Sequence, residues 1–371
     1  MGLFEIWQQF FPPAPSFPEK DLAAGSQLDR VFIISGANSG IGLALVKLLY
    51  PTGATIYLAG RTIAKIDAAI AQVVSVSPAP ATPATLRSLH LDLSDLATIK
   101  PAAAAFAARE SRLDVLWNNA GNGCPPGTVT RQGLEAHVGA NCVAPLLFTQ
   151  ELLPLLRATA RIAPKNSVRI VWSGSVQIEM NAPHGGVDFA RIEKPPTVTY
   201  EDYAASKAGN WFLALEGARR WGRDGIISVC ENPGNLYTGI YENENWLFVA
   251  FLKAFVLYDA RYGAYTMLFA GFSPELSESN NGAYIWPWGR VRPIARPDIV
   301  QAASEGQAAA FWNGARMHGS SMFSTSMTLL RICPSKRNGS APVEMFYFSF
   351  TIDLLVATLV WFLLNATDMA N

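Results

Sequence analysis

Tyr203 and Lys207 stand four residues apart in Tyr203-Ala204-Ala205-Ser206-Lys207. On a helix that spacing is about one turn, so the phenol and the ammonium project from the same face. A free phenol titrates near pH 10, too high for efficient proton transfer at neutrality. A neighbouring cation favours the phenolate, by roughly 1.4 kcal/mol for each pKa unit lowered. Such a pair can give a proton to a carbonyl oxygen or take one from an alcohol. Alone it is a weak signal, because Tyr-x-x-x-Lys also arises by chance. Its weight comes from a glycine run far upstream, Gly36-Ala37-Asn38-Ser39-Gly40-Ile41-Gly42.

That run follows the apolar, β-branched stretch Val31-Phe32-Ile33-Ile34 and precedes Leu43-Ala44-Leu45-Val46-Lys47-Leu48-Leu49, which has helical composition. The order is strand, tight turn, helix. Glycines let the backbone approach a pyrophosphate, and the exposed N–H groups and dipole of the helix start attract its charge. The spacing, G-x-x-x-G-x-G, is a variant of the G-x-G-x-x-G dinucleotide fingerprint. Gly36, Asn38, Ser39, Gly40, Ile41 and Gly42 are therefore candidate cofactor-binding residues, and the expected chemistry is that of a reductase or dehydrogenase. A site selective for NAD places an acid about 20 residues beyond the glycines to bind the ribose 2′-hydroxyl. Leu58-Ala59-Gly60-Arg61-Thr62 offers none there. The planar guanidinium of Arg61 suits a 2′-phosphate instead, which predicts NADP(H). A solvated surface arginine is the plainer reading of the same residue.

The elements that must position these groups read as an alternation. Apolar strand candidates recur at Val31–Ser35, Thr55–Ala59, Leu86–Leu91, Leu113–Trp117, Val168–Trp172 and Ile226–Cys230, with Ala- and Leu-rich helical stretches between them. The pattern predicts an α/β fold with a doubly wound parallel sheet, a Rossmann fold. Residues 1–28 read as a Pro-rich N-terminal arm, 29–314 as one catalytic domain, and 315–371 as a C-terminal tail. The proline-bearing segment Ser75–Pro83 reads as a surface loop before the third strand. Trp246-Leu247-Phe248-Val249-Ala250-Phe251-Leu252 reads either as a lid over the strand ends, suited to a bulky apolar substrate, or as ordinary core.

Bulk properties narrow the classes further. The chain has 371 residues, 50% of them hydrophobic, enough for a large core. Its formal net charge of +0 at pH 7 gives no electrostatic footprint for nucleic acid. Cys124, Cys142, Cys230 and Cys333 show no paired metal spacing and no disulfide density, so reduced thiols and no metal are expected. The first residues lack a basic region before running into Pro12, Pro13, Pro15 and Pro18, unlike a secretory signal. A cytoplasmic catalytic region is expected. Ile6 stands where a myristoylation motif needs Ser or Thr.

Met345–Leu364 is long enough to span a bilayer and follows Lys336 and Arg337. Its twelve Leu, Ile, Phe and Val residues contribute about −4 to −7 kcal/mol to insertion, against about +3 for Asp353. A single membrane helix and a packed or unstructured tail both stay open on this balance. Sequons at Asn338 and Asn365 matter only if that region reaches a lumen.

Several motifs then occur in one order: Gly36 to Gly42, Leu91-Asp92-Leu93, Asn118-Asn119-Ala120-Gly121, Asn141, Ser175, Tyr203 with Lys207, and Pro233-Gly234. In that order they resemble the short-chain dehydrogenase/reductase family, in the branch near the retinol dehydrogenases that is common in filamentous fungi, often in secondary-metabolite pathways. The resemblance covers roughly Phe11 to Gly314. It implies a catalytic set of Ser175, Tyr203, Lys207 and Asn141. Ser175 would hydrogen-bond the substrate oxygen, and Asn141 would hold a water in a proton relay through Lys207 and the cofactor ribose. It extends the cofactor-binding set to Asp92 and Leu93 at the adenine, Asn119, Ala120 and Gly121 beside the cofactor, Tyr203 and Lys207, and Pro233, Gly234, Leu236 and Thr238. Plainer readings are a turn acid for Asp92, a turn amide for Asn119 and a helix-internal amide for Asn141.

Two departures accompany the resemblance. Gly174 separates Ser173 from Ser175 where the family usually pairs serines, so Ser173 competes for the role given to Ser175. Ser35 replaces the usual threonine before the first glycine and keeps the hydroxyl. The function this implies is interconversion of a carbonyl and an alcohol on an apolar small molecule, with homo-oligomers common in the family. The rivals are a catalytically silent NADP-binding sensor or scaffold, and a dehydratase or epimerase with transient hydride transfer.

Overall fold

A computed structural model describes residues 3–76, 78–121, 123–125, 127–189, 199–237 and 257–321. All lie within one compact unit, Met1–Ser324. The lid candidate at 246–252, Thr238, the segment Met345–Leu364, both sequons and Cys333 lie outside the described residues.

Among the described residues eight strands form one sheet in the order β3-β2-β1-β4-β5-β6-β7-β8. They are β1 Val31–Ser35, β2 Thr55–Gly60, β3 Thr85–His90, β4 Val115–Asn118, β5 Val168–Ser173, β6 Ile226–Glu231, β7 Tyr284–Trp286 and β8 Arg290–Val291. The first seven pair in parallel, and β8 runs antiparallel to β7. The six strands expected from the sequence are all present, with ends moved by two residues at most. β7 and the antiparallel β8 were not expected. At two and three residues they carry too little apolar alternation to stand out.

The continuous apolar runs have a physical reason. β1, β5 and β6 are buried along their whole length, as strands covered by helices on both faces must be. Successive side chains enter opposite layers: Val31 and Ile33 join one buried cluster, Phe32 and Ile34 the other.

The helices that matter for the site are α1 Leu3–Phe10, α2 Gly40–Leu49, α3 Ile63–Val74 and α4 Ile99–Ala107, then α5, which begins at Ala136–Val138. Gly139–Val143 continues α5 as a π-helical stretch of five residues, and Ala144–Ala160 completes it. There follow α6 Gln177–Asn181, α7 Thr199–Trp221, α8 Ala260–Phe272, α9 Pro297–Ser304 and α10 Gln307–Ser321. The strand order reverses between β1 and β4, which places the crevice for a ligand at the carboxyl ends of those two strands. Among the described residues no helix is long and apolar enough to cross a membrane.

Candidate active site

The glycine turn joins β1 to α2. Gly36 has φ +67° and Gly40 φ +55°, in the left-handed region that favours glycine. A methyl group on Gly42 would lie 2.7 Å from the Gly36 carbonyl oxygen and 2.8 Å from Asn119 Nδ2, so only hydrogen fits between helix and turn. Nothing lies within 4 Å of where a Gly40 methyl would stand. Ser39 occupies the cap of α2 with extended backbone, and its side chain makes no capping bond to the helix's first amides. Open space, oriented N–H groups and a helix start are what a pyrophosphate requires, so Gly36, Asn38, Ser39, Gly40, Ile41 and Gly42 could hold one.

The turn is tied to the end of β4. Asn119 Nδ2 donates to Ser35 O at 2.8 Å, and Ala120 N donates to Ser35 Oγ at 3.0 Å. Ser35 Oγ donates in turn to Trp117 O at 3.2 Å. The hydroxyl kept at position 35 thus joins the first and fourth strand ends.

Arg61 is exposed directly after β2, and the adjoining Gly60 faces Asn38, with Asn38 Oδ1 3.7 Å from where a methyl would be. Asp92 follows β3; its Oδ1 accepts from Ser94 N at 2.9 Å and from Ser94 Oγ. That is the turn-acid geometry, and Leu93 beside it packs partly buried against the core. Gly263 of α8 gathers the remaining cofactor candidates. A methyl there would lie 3.1 Å from Pro233 O and 3.2 Å from Ile41 Cγ2, and Leu236 packs against the same position. Gly234, at φ +88°, turns the chain after β6.

Tyr203 and Lys207 do lie on one helix, α7. The Lys207 ammonium sits 5.4 Å from the centroid of the Tyr203 ring. Its Nζ donates to Ser173 O, the last carbonyl of β5, at 3.0 Å, and Asn210 Nδ2 donates to the same oxygen at 2.8 Å. Asn141 falls in the π-helical stretch of α5, where the widened turn re-aims side chains. Its Nδ2 donates to Ser206 Oγ at 3.1 Å, and its buried Oδ1 has no partner. A methyl on Gly121 would touch Lys207 Nζ at 3.1 Å and Asn141 Oδ1 at 3.5 Å. Asn141, Lys207 and the Gly121 backbone therefore converge on one small volume, with Tyr203 beside it. An orphaned amide oxygen next to an ammonium is a place for a water with few other choices.

The two serines differ in surroundings. Ser173 is buried and its Oγ donates to Glu231 Oε1 at 2.8 Å. Ser175 is half-exposed beyond the strand end and its Oγ accepts only the local amide of Gln177, at 3.2 Å. Gly174 between them is compressed: a methyl there would lie 2.8 Å from Cys230 Sγ and 3.0 Å from Glu231 O.

Three supporting residues were not foreseen. Glu231 ends β6 fully buried; burial pushes its carboxyl up to about 7, against the opposing bond from Ser173 and the charge of Lys207. Tyr284 Oη donates to Ser175 O at 3.0 Å. His137 Nε2 accepts from Cys124 N at 2.8 Å, which leaves Nδ1 to donate to Glu135 Oε1 at 2.7 Å, and its ring meets Tyr203 edge-on at 6.0 Å. No local motif announces any of them: Glu231 and Tyr284 act through partners distant in sequence, and the ring that His137 meets, Tyr203, lies on another helix.

The model for short chain dehydrogenases matches residues 30–187. A protein of Pestalotiopsis fici named short-chain dehydrogenase/reductase is 68% identical over 311 residues, covering 84% of this chain and 96% of that one. The chain belongs to the short-chain dehydrogenase/reductase family. A relative of the same name from Phomopsis amygdali is 41% identical, over 84% of this chain and 95% of its own. Among solved structures, NADPH-bound carbonyl reductase from chicken fatty liver aligns at a TM-score of 0.53 and 23% identity, over 72% of this chain and 99% of that one. L-sorbose reductase from Gluconobacter frateurii, complexed with NADPH and L-sorbose, aligns at 0.55 and 17%, over 71% and 96%. At these identities the structures speak to the fold, which they share with this member of the family.

Proposed function

We propose that this protein is an NADP(H)-dependent oxidoreductase that interconverts a carbonyl and an alcohol on an apolar small molecule. The observation that carries the reading is the convergence of Lys207, Asn141 and Gly121 beside Tyr203 at the carboxyl ends of β4 and β5. When bound, the nicotinamide supplies or accepts the hydride. The chain's own residues manage geometry and the proton. Tyr203 gives its phenolic proton to the substrate oxygen during reduction and recovers it from solvent. Lys207 places a positive charge against the phenol ring and stabilises the phenolate that forms. Asn141 Oδ1, which lacks a protein partner, holds a water that resupplies the proton by way of Lys207. Ser175 directs the substrate oxygen; its part-exposed hydroxyl supports this over Ser173, whose hydroxyl is committed to Glu231.

NADP(H) over NAD(H) rests on Arg61, exposed at the end of β2 with no acid in that turn. The apolar substrate class rests on the aromatic stretch after Thr238, and a role in secondary metabolism on the fungal branch that the sequence resembles.

The test is oxidation of NADPH at 340 nm over a panel of aldehydes, ketones and quinones. Tyr203→Phe should bind NADPH as the natural chain does and lose about 10²- to 10⁴-fold in kcat, the share of a general acid. Retained turnover removes Tyr203 from that role. Arg61→Ala should cut kcat/KM for NADPH by about ten- to a hundredfold, the worth of hydrogen bonds to a charged group, and leave NADH nearly unchanged. A natural chain that prefers NADH, or a variant with unaltered preference, overturns the cofactor assignment. Tight NADPH binding with no carbonyl reduced would favour the sensor instead.

A further inference from the structure

Gln9 lies on α1, outside the residues that the family model matches, yet it is 1% exposed. Its Nε2 donates to Glu179 Oε2 at 2.6 Å, and its Oε1 accepts from Asn232 Nδ2 at 2.8 Å. Both partners are buried, and each sits on a segment that borders the site. Glu179 belongs to α6, which starts two residues after Ser175, and its other oxygen accepts from Ala295 N at 3.0 Å. Asn232 opens the turn through Pro233 and Gly234, and its Oδ1 accepts from Gly234 N at 3.0 Å. One amide from the start of the chain therefore bridges the segment after Ser175 and the turn after β6. The arm is held where it must be to do this. Arg290 Nη2 donates to Gln8 O at 2.8 Å, and Ser16 N donates to Trp288 O at 3.1 Å.

The polarity of the chain of bonds is fixed. A carboxylate only accepts, so Gln9 must turn its N–H toward Glu179 and its carbonyl toward Asn232. Asn232 then has only its carbonyl left for the Gly234 amide. A glutamine reaching this depth with both ends of its amide matched is costly to replace, because any apolar group leaves two buried polar partners unmet.

We propose that Gln9 is a positioning residue: the N-terminal arm acts as a strap whose buried amide sets the spacing between the Ser175 segment and the Asn232-Pro233-Gly234 turn. Through that spacing it sets where the substrate oxygen meets the nicotinamide. The second step rests on the roles proposed above for Ser175 and for Pro233 and Gly234; the strap itself does not.

Hydrogen exchange read by mass spectrometry on the full-length protein separates the two. In Gln9→Leu, amides of 176–182 and of 232–236 should exchange about tenfold faster together, the worth of one bond to a charged group, while β1 and β4 keep their protection. Against any carbonyl that the natural chain reduces, kcat should fall by a similar factor. The swapped pair Gln9→Glu with Glu179→Gln keeps every donor opposite an acceptor and should restore both readouts, which Gln9→Glu alone, setting carboxylate against carboxylate, should not. If Gln9→Leu does not fold, the contrast between Gln9→Glu and the swapped pair carries the same test. Unchanged exchange, exchange rising in one segment without the other, or failure of the swap to restore it overturns the strap. Coupled exchange in a protein that reduces no carbonyl leaves the strap standing and removes the reductase reading.

Discussion

Glu231 is a single side chain with a measurable signature. Its carboxyl is buried at the end of β6, held by Ser173 on one oxygen and without a partner on the other. Burial raises it from 4.5 to about 7. The folded chain therefore holds this proton more tightly than the unfolded chain does. The resulting stability is complete below pH 4.5 and is lost as the pH rises through about 7. Glu231→Gln keeps an acceptor for Ser173 and cannot ionise, so its stability relative to the natural chain should climb between pH 5 and 8, by up to about 3 kcal/mol. Melting curves at several pH values check this; a constant difference across that window sinks it. At this scale the sequence was legible in the placement of groups that are neighbours in the chain, as in the turn of Gly36 to Gly42 or the shared helix of Tyr203 and Lys207. It was silent on Glu231, whose partner Ser173 is 58 residues away, and on Gln9, 170 residues from Glu179. A buried carboxylate also runs against the ordinary expectation that Glu is exposed.

Among elements, the joint between β1, α2 and β4 leaves little room for change. Gly42→Ala sets a methyl 2.7 Å from a backbone oxygen, 2.8 Å from Asn119 Nδ2 and 3.0 Å from Ala37 Cα. Two of these are backbone atoms that cannot swing aside, so α2 must tilt away from the turn. A loss of about 1–3 kcal/mol is expected, with weaker NADPH binding in titrations followed by cofactor fluorescence. An alanine variant with undiminished melting temperature and affinity would show that the turn has slack. Strands were readable because continuous apolar runs are what a doubly covered sheet demands. The edge pair β7 and β8 was not, being too short for a pattern. Nor was the π-helical stretch at Gly139–Val143, since nothing in the composition of those five residues distinguishes a π turn from an α turn.

Across the whole molecule, layers are joined by polar ties as well as by apolar packing. Arg169, on the central strand β5, sends Nη1 to Ala270 O at 3.1 Å and Nη2 to Ser273 O at 2.8 Å, closing the carboxyl end of α8. Burial, and then the nearby Arg30, lower its guanidinium to about 10, which still leaves it charged at neutrality. Arg169→Met keeps most of the volume and leaves those carbonyls unmet, and a loss of about 1–3 kcal/mol is expected. Because α8 carries Gly263 against Pro233 and Ile41, loosening it should also weaken cofactor binding. Calorimetry beside NADPH titration reads both; lost stability with untouched affinity would show that α8 does not brace the cofactor crevice.

The widened turn at Asn141 amounts to one surplus residue inside an otherwise regular cylinder. Removing a single residue between 139 and 143 would let α5 close into ordinary winding, with the flanking turns keeping their phase and the residues of the widened turn, Asn141 among them, re-aimed. The side chain that now stands beside Lys207 is thus aimed by a count as well as by its bond to Ser206. Insertions and deletions in this stretch bear on the proton path far more than substitutions of similar size.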